Sequence, residues 1–205
     1  MVLIITIGVL AYLLGSIPSS VWLGKALKGI DLREHGSGNA GATNAFRVLG
    51  KPIGIMVLLA DMGKGFLAVS LSYFQQEIVP GSEWWILVQI GLGLLAVCGH
   101  IFPVFAGFRG GKGVAAMAGI GLALHPFAAL AAMGIYLLVF LVTRLSALGS
   151  LTAVISYPLW MIFVFQTEYV SLRIFSIFVP VLVIITHRAN ISRLIRGKET
   201  TVLKN

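Results

Sequence analysis

Between residues 105 and 114 the chain reads FAGFRGGKGV, four glycines with an arginine and a lysine set among them. Gly107, Gly110, Gly111 and Gly113 let the backbone turn sharply and bring N–H groups near a ligand, while Arg109 and Lys112 place positive charge beside them. That combination suits an anion. The residues from Val114 on read as a helix, so the loop precedes a helix N-terminus, where unpaired N–H groups and the helix dipole favour phosphate. The run lacks the full spacing and the Ser/Thr of a Walker A loop. On its own it is therefore balanced between a phosphate site and a cytoplasmic turn whose cations only set topology.

Two further stretches carry polar chemistry. Residues 36–50 read GSGNAGATNAFRVLG and supply Ser37, Gly38, Asn39, Thr43, Asn44 and Arg47. Residues 187–199 read HRANISRLIRGKE, with His187, Asn190 and Arg193 at steps of three that share one face of a helix. Cations and neutral donors with few carboxylates suit phosphate groups. They suit Mg²⁺ or Ca²⁺ poorly, and no His/Cys cluster of zinc type appears, so no metal and no cofactor are expected. Each residue has a plainer reading as well. Ser37 and Thr43 are ordinary turn and cap residues, Arg47 and Arg193 would also meet lipid phosphates, and His100 and His125 in apolar surroundings read as hydrogen-bonded structural residues.

The elements that must position these groups are membrane helices. Apolar residues make up 58% of the 205 and charged residues 11%, with a net charge of +8. Such a chain belongs in a bilayer, and its positive excess faces an anionic surface, an anionic substrate or both. The fold expected is an all-α integral membrane protein of one domain, residues 1–205, with about seven transmembrane helices, some of them short. The runs are 2–23, 52–74, 86–105, a hairpin over 114–143 turning near His125, 148–165 and 174–186. Lys and Arg placement puts the N-terminus outside and the C-terminus in the cytoplasm. All three polar stretches and the Arg144 loop then fall on the cytoplasmic side, where they can form one site, and the basic tail reads as an amphipathic helix on that face. Asp61 and Lys64, one helical turn apart within a span, read as an ion pair or a site wall. Cys98, the only cysteine, reads as a packed, inert thiol.

With GHIFPVFAGFRGGKGVA at 99–115, the three stretches together resemble the bacterial acyl-phosphate:glycerol-3-phosphate acyltransferase family over nearly the whole chain. The resemblance implies a multi-pass enzyme of the bacterial cytoplasmic (inner) membrane that starts phospholipid synthesis. It moves a fatty acyl group from acyl phosphate to the 1-hydroxyl of sn-glycerol 3-phosphate, giving lysophosphatidic acid and phosphate. It further implies catalytic parts for Ser37, Arg47, Lys112, His187 and Asn190, and glycerol phosphate binding by the loop from Gly107 to Gly113. A structural part falls to Glu199, and the DMGKG segment holding Asp61 and Lys64 also looks like the family. Substrate contacts are expected from Gly38, Asn39, Thr43, Asn44, Lys64, Gly107, Arg109, Gly110, Gly111, Gly113 and Arg193, with Asp61 and Glu199 structural. The partners expected are the two substrates and membrane lipids, with no nucleic acid, and a monomer. The sequence departs from the family pattern at Arg109, where many relatives have lysine, and at Ala116 and Ala147, where a hydroxyl residue is common.

The reaction needs an alcohol placed beside an activated carbonyl, phosphate charge neutralised and a developing oxyanion stabilised. His187 is the titratable candidate base, and a substrate phosphate oxygen is the alternative. Direct transfer is favoured over an acylated Ser37. A transporter of phosphate or of a phosphorylated lipid precursor is the rival reading. It would place polar groups at mid-bilayer and often shows repeated halves, whereas most of the polar groups here gather at one face.

Overall fold

The computed structural model describes residues 2–202, which form ten α-helices joined by short 3₁₀ and π turns, with no strand among the described residues. Backbone contacts divide the chain into two compact units, one ending at Leu124 and one beginning at His125.

The first unit holds α1 (Val2–Gly15), α2 (Ser19–Lys28), α3 (Ala42–Val48), α4 (Lys51–Ser70), α5 (Glu83–Ile101) and α6 (Val114–Leu124). The run expected over 2–23 is two helices bent by 42° across a break that holds Pro18, and α2 carries Lys25 and Lys28 in its last turn. Gly29, at φ 68°, ends α2 and donates its N–H back to the helix carbonyls, the usual role of glycine at a C-terminus. Ser82 starts α5 by accepting from the Trp85 N–H at 3.2 Å. Ile7, Ala11, Ala68, Leu92 and Ala96 form the core where α1, α4 and α5 meet. Helices α4 and α6 approach more closely still. A Cβ on Gly65 would enter the Ala116 backbone, and one on Gly119 would enter the Met62 carbonyl. Small residues that let two backbones touch are the common device for packing helices in lipid, where no hydrophobic force drives them together.

The second unit holds α7 (Pro126–Thr143), α8 (Ser146–Leu159), α9 (Val170–Thr186) and α10 (Arg188–Ile195). His125 caps α7 through its Nδ1, which accepts from the Ala128 N–H at 3.2 Å, and Pro126 occupies the first turn, where a missing N–H costs nothing. Pro158 lies inside α8, and a π-helical turn over Trp160–Val164 follows it. Helix α9 begins at Val170, four residues before the expected start at 174, so that run is not as short as its apolar stretch suggested.

Four segments are long and apolar enough to cross a bilayer singly: Lys51–Phe74, Glu83–Ala106, Pro126–Thr143 and Ser146–Val164. The bent pairs α1/α2 and α9/α10 raise this to as many as six. All seven expected runs carry helices, but α6, with 11 residues, falls short of a full crossing. Cys98 is exposed on α5, not packed as expected, because it lies on the apolar outer surface of that helix.

Candidate active site

The serine-bearing stretch begins where α2 ends. The Asp31 carboxylate accepts from the Arg33 N–H at 3.0 Å and opens a 3₁₀ turn, Leu32–Glu34, whose Leu32 is fully buried with Ala45, Leu49, Ile53 and Val57. Asn44 in the first turn of α3 then fixes the loop. Its Oδ1 accepts from the Ser37 N–H at 2.9 Å, and its Nδ2 donates to the carbonyls of Leu32 at 3.2 Å and His35 at 2.9 Å. Asn44 is buried with its amide taken up by the loop, which it positions. Ser37, whose backbone N–H it holds, is exposed, beside exposed Gly38 and half-buried Asn39, Thr43 and Arg47.

The glycine-rich loop turns through left-handed backbone at Gly107 (φ 61°) and Gly113 (φ 84°), where a side chain would be strained. Its amides do not all face outward. Gly110 donates to the Ile101 carbonyl at 3.2 Å and Gly111 to the His100 carbonyl at 3.1 Å, docking the loop on the end of α5. A Cβ on Gly111 would collide with the His100 ring. These two glycines serve close packing with their N–H groups taken up by α5, and they also line the pocket described below. The first-turn amides of α6, Val114 to Ala116, precede the first intrahelical bond, from Met117 to the Gly113 carbonyl, and so have no partner within the helix. Lys112 is half-buried just before them and Arg109 is exposed.

Beneath the loop lies a small pocket of about 10 Å³ whose walls include Ala40, Asp61, Lys64, His100, Gly110 and Gly111. Lys64, buried, sits 2.9 Å from Asp61 Oδ1 and donates to the Ile17 carbonyl at 2.9 Å. Two of its three donors thus meet protein groups, and Lys64, expected at the substrate, is at once half of a buried ion pair and a pocket wall. His100 Nδ1 is 3.7 Å from Asp61 Oδ1. The apolar run around His100 hid its place at this pocket, and only its position beside the glycine-rich stretch hinted at it.

Arg33 and Asp31 join the serine-bearing stretch to the glycine-rich loop, and in the sequence nothing marks the acid while the arginine counts only toward the orientation of the first span. Arg33 forks onto Asp31 through Nε at 3.0 Å and Nη2 at 2.7 Å, and its Nη1 donates to the Ala106 carbonyl of the glycine-rich loop at 2.7 Å. The Arg33 guanidinium beside Asp31 holds that carboxyl well below the usual carboxylate range, with Lys25, 3.3 Å away, adding to the effect.

In the second unit, His187 is buried at the junction of α9 and α10, its Nδ1 3.0 Å from the Val183 carbonyl. A carbonyl only accepts, so the tautomer that fits this contact carries its proton on Nδ1. Asn190 Nδ2 donates to Glu199 Oε1 at 2.8 Å, and Arg193 Nε to Glu199 Oε2 at 2.8 Å. The steps-of-three pattern thus places Asn190 and Arg193 on one face of α10, where a single carboxylate binds both.

With this geometry in hand, comparison with known proteins identifies the lineage. The family model for glycerol-3-phosphate acyltransferase matches residues 5–197. A glycerol-3-phosphate acyltransferase of Trichlorobacter lovleyi is 45% identical over 190 residues, covering 93% of each chain, and one of Chlorobaculum tepidum is 41% identical over 225 residues, covering 97% and 96%. Among solved structures, PlsY (YgiH), an integral membrane glycerol 3-phosphate acyltransferase, superposes in its glycerol 3-phosphate form with a TM-score of 0.85 at 40% identity, over 97% of this chain and 94% of the other. Its lysophosphatidic acid form gives 0.82 at 39% identity, with the same coverage. The motifs, the helical membrane fold and these relatives agree that this chain belongs to the glycerol-3-phosphate acyltransferase family, membrane enzymes that acylate glycerol 3-phosphate.

Proposed function

We propose that the acyl donor is acyl phosphate and that the acceptor is the 1-hydroxyl of sn-glycerol 3-phosphate, giving 1-acyl-sn-glycerol 3-phosphate and inorganic phosphate. The observation that carries this reading is the convergence at one pocket of three stretches distant in sequence: Ala40 from the serine-bearing stretch, Asp61 and Lys64 from α4, and Gly110 and Gly111 from the glycine-rich loop. Lys64 and the glycine-rich backbone meet there with one carboxylate, Asp61, and the chemistry they support is transfer from an acyl phosphate, a mixed anhydride, to the hydroxyl of a phosphate ester.

The glycerol O1 attacks the acyl carbon, the carbon–oxygen bond to phosphate breaks, and the hydroxyl proton passes to a phosphate oxygen. Lys112, Arg47 and the first turn of α6 neutralise phosphate charge, Arg109 lends long-range attraction, and Ser37 orients the reacting oxygens. Asp61 and Glu199 are structural in this scheme, and Lys64 divides its donors between a carboxylate and the substrate side. Within the second unit, His187, Asn190 and Arg193 keep the parts that the family resemblance implies. The apolar helix surfaces hold the acyl chain in the membrane plane. The enzyme works as a monomer at the cytoplasmic face of the bacterial inner membrane, with its N-terminus outside, crossing seven times if α6 reaches through.

The test is release of phosphate from palmitoyl phosphate by the purified protein, with and without sn-glycerol 3-phosphate, followed by identification of the lipid product. Acceptor-dependent release with lysophosphatidic acid formed is expected, and Lys112→Ala should lower the rate by roughly a hundredfold or more, as removal of a preorganised charge does elsewhere. Absence of product from folded protein across several chain lengths, with acylation from another donor, would overturn the donor assignment.

A further inference from the structure

Nothing in the family motifs assigns a part to Arg33, yet it is the side chain that ties the two chemical loops of the first unit to each other. Ser37 is held by Asn44 within the segment that follows Arg33, and the glycine-rich loop is held by the end of α5. Between these two anchored segments Arg33 donates Nη1 to the Ala106 carbonyl, next to Gly107, across 73 positions of sequence. Its other two bonds go to Asp31, which is in turn fixed at the start of the 3₁₀ turn and paired with Lys25 at the end of α2. A guanidinium forked on one side by a carboxylate has little rotational freedom left, so its third donor is aimed and not merely available. The contact also lies outside the pocket lining, so Arg33 acts on the loop and not on whatever the loop binds.

We propose that Arg33, oriented by Asp31, is a positioning residue that sets the distance between the Ser37 segment and the phosphate-binding end of the glycine-rich loop. The kinetic part of this rests on the reading under Proposed function. The geometric part does not. If the assignment holds, loss of Arg33 leaves Lys112 and Ser37 present but misplaced relative to one another, which weakens binding of glycerol phosphate more than it impairs the fold.

The experiment uses the full-length protein in detergent or lipid, with Arg33→Ala, Arg33→Lys and Asp31→Asn compared with the parent. Amide hydrogen exchange over residues 104–113 and 35–38 is measured alongside KM and kcat for sn-glycerol 3-phosphate at saturating palmitoyl phosphate. The expected result for Arg33→Ala is faster exchange confined to the two loops and a KM raised roughly tenfold, the size of one charge-assisted hydrogen bond, with a smaller change in kcat. Arg33→Lys keeps the charge but not the fork and should recover only part of the KM, and Asp31→Asn should show the same direction with a smaller shift. Unchanged loop exchange with parental KM in Arg33→Ala overturns the proposal, as does full recovery by Arg33→Lys, which would reduce the role to charge alone. If Arg33→Ala fails to fold, the exchange and KM of Asp31→Asn decide it in the same way. A parent protein that shows no acyl transfer defeats the functional reading only, and loop exchange still decides the clamp.

Discussion

The Ser37 loop and helix α10 hold the same kinds of residue by opposite means. In the loop, a neutral amide does the holding: Asn44 binds only backbone groups, so no positive charge in its reach is cancelled. In α10 a carboxylate does it, and Glu199 takes one donor from Asn190 and the Nε of Arg193. Neutral anchoring leaves nearby cations for an anionic ligand, whereas carboxylate anchoring neutralises part of the charge it positions. The buried pair Asp61 and Lys64 follows the second pattern inside α4, at greater cost, since neither partner reaches water. The chain thus combines one neutral anchor with two charged ones, and the two kinds should respond differently to the loss of a single partner.

The largest effect is expected at the buried pair. Lys64→Met leaves the Asp61 carboxylate buried without its ammonium and should cost about 3–5 kcal/mol of stability, while adding Asp61→Asn to it should restore much of the loss. Thermal and denaturant unfolding of the detergent-solubilised variants measures both, and equal losses in single and double variants would break the contrast between charged and neutral anchors. Next comes Asn44→Ala, which strips partners from the Ser37 N–H and from the carbonyls of Leu32 and His35. Roughly 2–3 kcal/mol should be lost, with activity falling alongside because the Ser37 loop is released. Glu199→Ala should be milder, about 1 kcal/mol, because Arg193 is 41% exposed and water screens its pair, yet it should loosen Asn190 enough to lower turnover. Glu199→Gln keeps an acceptor for Asn190 and should retain more activity than Glu199→Ala. The smallest effect concerns pH. The folded-state pKa of Asp31 is depressed, so its contribution is fully present above the ordinary carboxylate range and is lost as pH falls below that range toward the folded value. Unfolding midpoints of the parent and Asp31→Asn should therefore differ by a constant amount from neutral pH to about pH 5 and converge only in stronger acid.

Much of this protein was legible before any coordinates. Apolar runs of spanning length are set by bilayer thickness, and a helix satisfies its own backbone, so composition located the apolar runs and the turn near His125, while the break at Pro18 and the short α3 within a polar stretch appeared only in the fold. The chemical stretches were legible too, because glycine, serine, asparagine and lysine in dense order have few other uses within a membrane chain. Partner choice was not. That Gly110 and Gly111 dock on α5, that Asn44 serves Ser37, and that Lys64 reaches the Ile17 carbonyl depend on which backbone groups arrive within 3.3 Å, whether seven residues away or 47. The same holds for Arg33, whose charge reads as a topology mark until the fold brings the Ala106 carbonyl to it. Sequence by itself determined the membrane class, the order of the helices and the chemistry available, since these follow from local composition and repeat. Only the tertiary structure decided which donors hold the loops, because hydrogen bonding is short-ranged and directional, and the choice among nearby and distant acceptors is made by the backbone path.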